Sequence, residues 1–478
     1  MERWSVTTVT AAVLVLASCA APREPGNIAP IAVPSLGLAA EAAAPIDAQW
    51  WKTFGDPQLD RILGDALAGS PTLEAALARV RLAESALAVS EAARRPQLTL
   101  DANGQIQRLS DAYIIPPPYG GSTRWIGQAQ ANLGWDLDFW GRQAAAVGQA
   151  RAETDAAGLD YAAASLALAG SIAQTYIELT RVERQFGLAQ RVLVEREQAL
   201  LLVGLRVRSE LAGERDARAA EILRAEAQQV LVRVQGQREM LVHALALLAG
   251  QGADYYATIR PPTPALDAVL PLPAELPADL LARRPDILST QARVDAALAG
   301  RETARTAFYP NFNLIGLAGA QAIGLNHLFG KDAVTYGAGA AVHLPIFDGG
   351  RLRAEYAGAN ARVDAAIADY NQAVLSAVRE TADALTRVAN LSATLDVQRT
   401  AAAGTAELRR LDEVRFISGL GSRLELIDAE LRLLSARQET VDLEADQAVA
   451  RIRLLLALGG GFDSEAGSAA LVDTRPSP

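Results

Sequence analysis

Two kinds of periodicity alternate along this chain, in the same order, twice. From Leu98, the residues Leu98, Leu100, Ala102, Gly104 and Ile106 interleave with Thr99, Asp101, Asn103, Gln105 and Gln107. A second run sets Trp125, Gly127, Ala129, Ala131, Leu133 and Trp135 against Gln128, Gln130, Asn132, Gly134 and Asp136. Period two with amides and carboxyls on one face predicts strands that are dry on one side and wet on the other, at about 96–110 and 123–137. Tyr336, Ala338, Ala340, Val342 and Leu344 alternate with Thr335, Gly337, Gly339, Ala341 and His343, predicting a strand at 334–347. Segment 310–325 alternates less regularly and completes the set. Each segment has about the length that crosses a bilayer, with Trp125 and Trp135 toward the two ends as interfacial anchors. Asp101, Asn103, Gln105, Gln128, Gln130 and Asn132 are then the wet-face residues, lumen-facing if the strands close a barrel and solvent-facing if they form a soluble sheet.

The second period is helical. Residues 141–205 and 351–413 contain no proline and few glycines. Leu159, Leu166, Ala169, Ile172, Tyr176, Leu179, Val182, Phe186, Ala189 and Leu193 fall at heptad-like spacing. Ile367, Tyr370, Val374, Ala377, Thr381, Leu385, Val388, Leu391 and Leu395 repeat the pattern. About 63 residues at roughly 1.5 Å each make a rod near 95 Å, which must bury its stripe against other rods.

The chain is internally duplicated. Arg94 to Leu100 is echoed by Phe308 to Leu314, Phe139-Trp140-Gly141-Arg142 by Phe347 to Arg351, and Arg206 to Ala220 by Arg415 to Ala429. Three collinear echoes at nearly one spacing mean duplication rather than chance. The plan is a signal segment at 1–18, a Pro/Ala-rich extended segment at 19–49 and a first repeat at 50–260 with a helical hairpin at 141–250. A proline-rich linker at 261–277, a second repeat at 278–458 with a hairpin at 351–458, and a flexible tail at 459–478 complete it.

Four strands cannot close a transmembrane barrel, which starts at about eight, and lipid does not tolerate an open edge. Several chains must therefore pool their strands, or the strands are not in a membrane.

Half of the 478 residues are apolar and the formal net charge is −10, which argues against a nucleic-acid partner. Basic residues are almost all arginine, with lysine only at Lys52 and Lys331, a bias we assign to genome composition. The single cysteine, Cys19, closes Leu16-Ala17-Ser18-Cys19 after an apolar run from Val9, too short to span a bilayer permanently. This ending resembles the bacterial lipoprotein signal, in which the cysteine is lipidated and becomes the mature N-terminus. Ala20 follows where inner-membrane retention usually has Asp, implying export to the outer membrane. No later window offers an uninterrupted apolar run long enough for a second spanning helix.

The residues Trp50 to Leu59, Leu137-Asp138-Phe139-Trp140-Gly141-Arg142, Arg283-Arg284-Pro285-Asp286-Ile287, Leu344 to Arg351 and Gly419 to Glu430 resemble the outer-membrane factor family. These are the TolC-like channels of tripartite efflux and type I secretion, and the lipoprotein cysteine points to the branch serving RND-type multidrug pumps. The resemblance implies a mainly α homotrimer in the outer membrane, with four strands per subunit in one twelve-stranded transmembrane β-barrel above a long periplasmic α-helical tunnel. It also implies a periplasmic adaptor (membrane fusion protein), an inner-membrane pump of the RND type, outer-membrane lipid around the barrel, and amphiphilic drugs, solvents or dyes as cargo. Helix tips near 206–216 and 415–425 would face the pump, with Leu211, Gly213, Gly419 and Leu420 as adaptor contacts. Many relatives carry Asp two residues after the tip glycine; here Gly421 stands there. Glu214, Arg215, Asp216, Arg423 and Glu425 are candidate gate charges that could pair across helices, against a bland reading as solvated turn charges.

No catalytic or metal site is expected, and no cofactor beyond the lipid on Cys19. His243, His327 and His343 are too scattered for a metal or a triad. His243, in an apolar helical tract, is expected to be packed or at an interface, and His343 to line the lumen. Gly324 to Gly330 has five intervening residues where a phosphate loop needs four, and Asp332 replaces the hydroxyl residue. Energy must come from a partner, so the chain is not read as an enzyme. A type I secretion duct and a non-channel lipoprotein scaffold stay open as alternatives at this level. Cys19→Ser is expected to abolish incorporation of labelled palmitate. Intact-mass spectrometry of the extracted chain checks this, and a wild-type cysteine without added lipid mass would exclude the anchor.

Overall fold

The computed structural model describes residues 28–32, 46–112, 114–268 and 283–462. Cys19 and the signal segment, most of 19–49, the linker beyond 268, the expected repeat start at 278, and the chain from 463 onward lie outside the described residues. The elements in order are α1 (Pro57–Gly69), α2 (Pro71–Ala92), β1 (Gln97–Arg108), β2 (Thr123–Leu137), α3 (Arg142–Arg208) and α4 (Glu214–Leu248). Then follow α5 (Pro285–Thr306), β3 (Asn311–Ile323), β4 (Val334–His343), α6 (Arg351–Ile417) and α7 (Arg423–Ala457). The duplication shows in the lengths: 22 residues for α2 and α5, 67 for α3 and α6, and 35 for α4 and α7. α2 and α5 both open on proline, whose missing N–H is one that a first helical turn leaves unpaired anyway. The fourth strand stops at His343, short of 347, because Pro345 has no N–H to continue the ladder.

Two compact units form. One gathers 79–157 and 290–370 and contains the strands, in an antiparallel sheet of order β1-β2-β3-β4. Its helices hold a small cluster of Val294, Val363 and Ile367, with Tyr370 packed on it.

The other unit gathers 31–78, 158–289 and 371–478 and carries the main core. Ile172, Tyr176, Ile177 and Leu179 of α3 meet Leu59, Ile62 and Leu63 of α1, Leu245 of α4, and Ile452 and Leu455 of α7. The heptad stripe read from the sequence is this buried face: Ala169, Val182 and Ala189 are buried, as are Val374, Ala377, Thr381 and Leu395 of α6. Among the described residues α3 is the one helix long and apolar enough, by composition, to cross a membrane. The sequence reading expected none. Ile172, Ala173, Tyr176, Ile177 and Leu179 of this helix are buried in the core.

Two of the recognition motifs turn out to be polar anchors of this unit. Trp50, Trp51 and Phe54 are buried in one turn of 3₁₀ helix, Trp50–Phe54. Asp56 then caps α1, accepting from the Gln58 N–H at 3.0 Å. Its other oxygen accepts from the Tyr176 hydroxyl at 2.7 Å and the Thr263 N–H at 2.9 Å. The Gln58 side chain donates to the Tyr176 hydroxyl and exchanges two hydrogen bonds with the Arg260 backbone. Burial, then the Asp56 carboxylate, push the Tyr176 phenol well above its ordinary range. In the second motif the buried Arg284 guanidinium grips Asp286 at 3.0 and 2.7 Å, Glu380 at 3.1 Å and the Ala457 carbonyl at 3.0 Å. That carbonyl ends α7, so the arginine satisfies one of the acceptors a helix C-terminus leaves open.

Two of the arginines bridge helices. Arg181 joins Glu178 of α3 to Asp446 of α7, and Arg409 joins Glu413 of α6 to Glu430 of α7. One planar fork holds two carboxylates at fixed angles, which an ammonium does less well. The tail also differs from expectation at its start. Gly460 N donates to the Leu455 carbonyl at 2.9 Å to close α7, and a side chain at Gly460 would strike Leu166.

Tyr176→Phe leaves Asp56 short of a donor inside the core and is expected to cost about 1–3 kcal/mol of unfolding free energy, read by denaturant titration of the extracted protein. For Asp286, burial alone would raise the carboxyl, but hydrogen bonds and charge from Arg284 outweigh it and hold it below its ordinary value of 3.8. A lowered folded value contributes stability that is present above 3.8 and lost as pH falls through the folded value. The deficit of Asp286→Asn should therefore be full at about pH 6 and shrink below about pH 4; a pH-independent deficit would exclude the ion pair as its source.

Candidate functional site

The register decides which side chains share a face. Leu98, Leu133 and Gly316 stand in one row, and Ala102, Ala129 and Ala320 in another. Leu314 pairs with Ala340, Ala318 with Tyr336, and Ile106 with Trp125. Apart from the Arg108–Thr123 pair at its end, this face is apolar or glycine, and several of the larger residues are open: Leu100 is 77% and Tyr336 83% exposed. Near one end the Trp125 indole lies flat over Gly104 and Gly127; a methyl group at Gly127 would sit 1.9 Å from its Cη2. Near the other end Trp135 donates its indole N–H to the Arg94 carbonyl at 3.0 Å.

The opposite face carries all six residues expected to line a lumen. Asp101 pairs with Gln130, Asn103 with Gln128, and Thr99 with Asn132. Their amides form a ladder: Gln128 donates to Gln130, Gln130 to Asn132 at 2.6 Å, and Asn132 to Asp101 at 2.7 Å. Gln105 donates to Gln107 along β1. The polar character fades across the sheet. On β3 this face holds Asn313, Ile315, Leu317, Gly319 and Gln321, and on β4 Thr335, Gly337, Gly339, Ala341 and His343. The outer edges of β1 and β4 have no partner strand among the described residues.

The strand-to-helix junctions explain two more motifs. Asp138 accepts from the N–H groups of Gln143 and Ala144, and Asp348 from those of Gly350 and Leu352. Each carboxylate satisfies amides that the first turn of α3 or α6 leaves unpaired. The Leu352 and Gly350 amides hold the Asp348 carboxyl below its ordinary range. Phe139 packs edge-on against Phe312 and Trp140 stacks on Tyr309, while the Trp140 N–H donates to the Pro310 carbonyl at 2.8 Å. The capping role of these aspartates was open to sequence reasoning, since each stands just ahead of a long helix, and it was missed.

The two helix tips are built alike. Leu211 N donates to the Arg206 carbonyl, and Leu420 N to the Arg415 carbonyl, both at 2.8 Å. Glu210 at φ 59° occupies the place of Gly419 at φ 72°. Leu211 and Leu420 project outward, 71% and 74% exposed. The candidate gate charges do not pair with one another within the chain. Asp216 accepts from Gly213 N, Glu425 from Ser422 N, and Glu214 pairs with Arg218. Carboxylates in a first helical turn are drawn to the free amides beneath them, and that contact wins here. Arg423 does cross between hairpins, donating to the Gln198 side chain of α3 at 2.7 Å. Arg215 has no partner among the described residues.

The histidines stay apart. His243 is exposed and lies against Tyr256 with ring centroids 4.4 Å apart, so it is not packed in the core of its own chain. His343 takes the polar face of β4, opposite Asn311, and His327 sits in the β3–β4 loop.

A family model described as outer membrane efflux protein matches residues 62–251 and 276–460. The multidrug resistance outer membrane protein MdtP of Escherichia coli K12 is 33% identical over 434 residues, covering 87% of either chain. The outer membrane protein OprJ of Pseudomonas aeruginosa is 31% identical, covering 94% of either chain. The crystal structure of the outer membrane protein VceC of Vibrio cholerae superposes with a TM-score of 0.79 at 31% identity, over 87% of this chain and all of that one.

The tip geometry sets two substitutions in opposite directions. Gly419→Ala forces a Cβ into the left-handed region at a cost of about 1–2 kcal/mol, while Glu210→Gly removes the same strain from the first tip. Hydrogen exchange of the tip amides is expected to speed up in the first variant and slow in the second.

Proposed function

This chain belongs to the outer membrane efflux protein family and is an outer-membrane exit channel, and from that premise we propose that three copies pool their strands into one twelve-stranded barrel. The observation that carries this reading is the four-stranded sheet itself, apolar on one face, polar on the other and open at both edges. In hydrocarbon every strand amide needs a partner, and β4 of one copy meeting β1 of the next supplies it around a closed ring. The apolar face then meets lipid, and Asp101, Asn103, Gln105, Gln128, Gln130 and Asn132 meet the water of the lumen.

The cargo we propose is small amphiphilic drugs, since MdtP is a multidrug resistance protein; the secretion of polypeptides is set aside on the same ground. The duct performs no reaction of its own and passes what an inner-membrane RND-type pump and a periplasmic adaptor deliver. Leu211, Gly213, Gly419 and Leu420 are the tip residues for that adaptor: exposed leucines on tight turns offer apolar knobs to a helical partner. Lipid on Cys19 tethers the chain to the outer membrane beside its own barrel. Arg423, through Gln198, is the gate residue best supported, with Glu214, Arg215, Asp216 and Glu425 setting the charge around it.

Native mass spectrometry of the detergent-extracted protein should give three times the acylated subunit mass, and the same sample should conduct ions in planar bilayers. A stable, non-conducting monomer would end this reading.

A further inference from the structure

The polar face of the sheet is not uniform, and its exception has a shape. Ile315 and Leu317 of β3 stand on that face in successive rows, and Ile315 is 51% exposed. Gly339 on β4 and Gly134 on β2 flank Ile315, and Gly337 flanks Leu317. A side chain at Gly134 would meet nothing within 4 Å, and one at Gly337 or Gly339 would only touch the leucine or isoleucine. The missing side chains leave a groove of about 670 Å³, bounded on the β1 side by Gln97, Thr99 and Asn132. That is the size of a drug-binding cleft.

The row at one end of the groove supplies the second observation. It pairs Asp136 with Asn313. One carboxylate oxygen of Asp136 and the side-chain oxygen of Asn313 have no hydrogen-bond donor. The other Asp136 oxygen has only Arg142, at 3.8 Å, and the carboxylate side chain is 32% exposed. Its negative charge is therefore weakly balanced and only partly exposed, one oxygen being shielded from solvent. Neither arginine nor lysine stands in the three rows of Asn132, Gly134 and Asp136.

We propose that this groove is a binding site for an amphiphilic cation in transit, its apolar body on Ile315 and Leu317 and its head group at Asp136 and Asn313. Charge selects the occupant: an anionic amphiphile would meet an under-compensated carboxylate, and a neutral one would leave it unpaired. A shallow, one-sided groove also holds its ligand weakly, as a conduction path requires. The proposal rests on the channel reading and deepens it, naming where and for which cargo the duct wall is more than inert.

The test uses the intact, acylated protein in planar bilayers, with decyltrimethylammonium, tetramethylammonium and decyl sulfate as probes below their micelle concentrations. Decyltrimethylammonium is expected to reduce conductance where the other two do not. Leu317→Asn and Asp136→Asn should each raise its half-blocking concentration by about tenfold, with unblocked conductance serving as the control for assembly. If Leu317→Asn does not assemble, Ile315→Thr takes its place. Block that is unchanged in both variants, or equal block by decyl sulfate, overturns the site while leaving the channel intact. A wild-type protein that does not conduct fails at the channel reading itself, and the site falls with it.

Discussion

The strand edges constrain everything else in this protein. Inside hydrocarbon an N–H or C=O without a partner costs several kcal/mol, and the sheet of one chain ends at the bare edges of β1 and β4. Its apolar face, from Leu98 to Val342, is largely uncovered by the described residues. Neither water nor lipid tolerates both features in a single copy. The duplication supplies half of the answer by pairing β2 of one repeat with β3 of the other; further copies supply the rest.

The helical part meets a different demand. Long helices make their own hydrogen bonds but gain little tertiary specificity from an alanine-rich stripe, whose small side chains can slide past one another. Here buried polar groups fix the fit. Asp56 and Gln58 lock α1 and the chain at 260–263 onto Tyr176, and Arg284 locks the start of α5 onto the end of α7 and onto α6. Each group must find all its partners at once or remain unpaired in a dry interior, so register errors are penalised sharply. The same logic at the surface gives arginine its role, since a guanidinium can hold carboxylates on two helices together.

Much of this was legible in the residues. The period-two segments gave four strands within a few residues of their observed ends, because burying one face of a pleat needs alternation and nothing else. The proline-free heptad tracts gave α3 and α6, and the repeated tip motif gave both turns. The tip carboxylates read either as partners across helices or as solvated turn charges; within one chain Asp216 and Glu425 accept from amides at the start of their own helices. His243, whose apolar neighbours suggest a packed or interface position, is exposed on the helix and meets Tyr256. The motif around Asp56 was recognised without its mechanism, since the partners Tyr176 and Thr263 lie more than a hundred residues away in the chain.

The sequence by itself determined the kind of each element, its apolar face and the duplication, and it posed the choice between pooled strands and strands outside a membrane. These follow from side-chain order along one segment, which periodicity reports directly. Only the tertiary structure decided which strand lies beside which, and in what register. That register set Gly134 and Gly339 on either side of Ile315 and paired Asp136 with Asn313, making a groove with a charged end. The residues of that groove come from segments some two hundred positions apart, and no local pattern records a contact that only backbone pairing brings about.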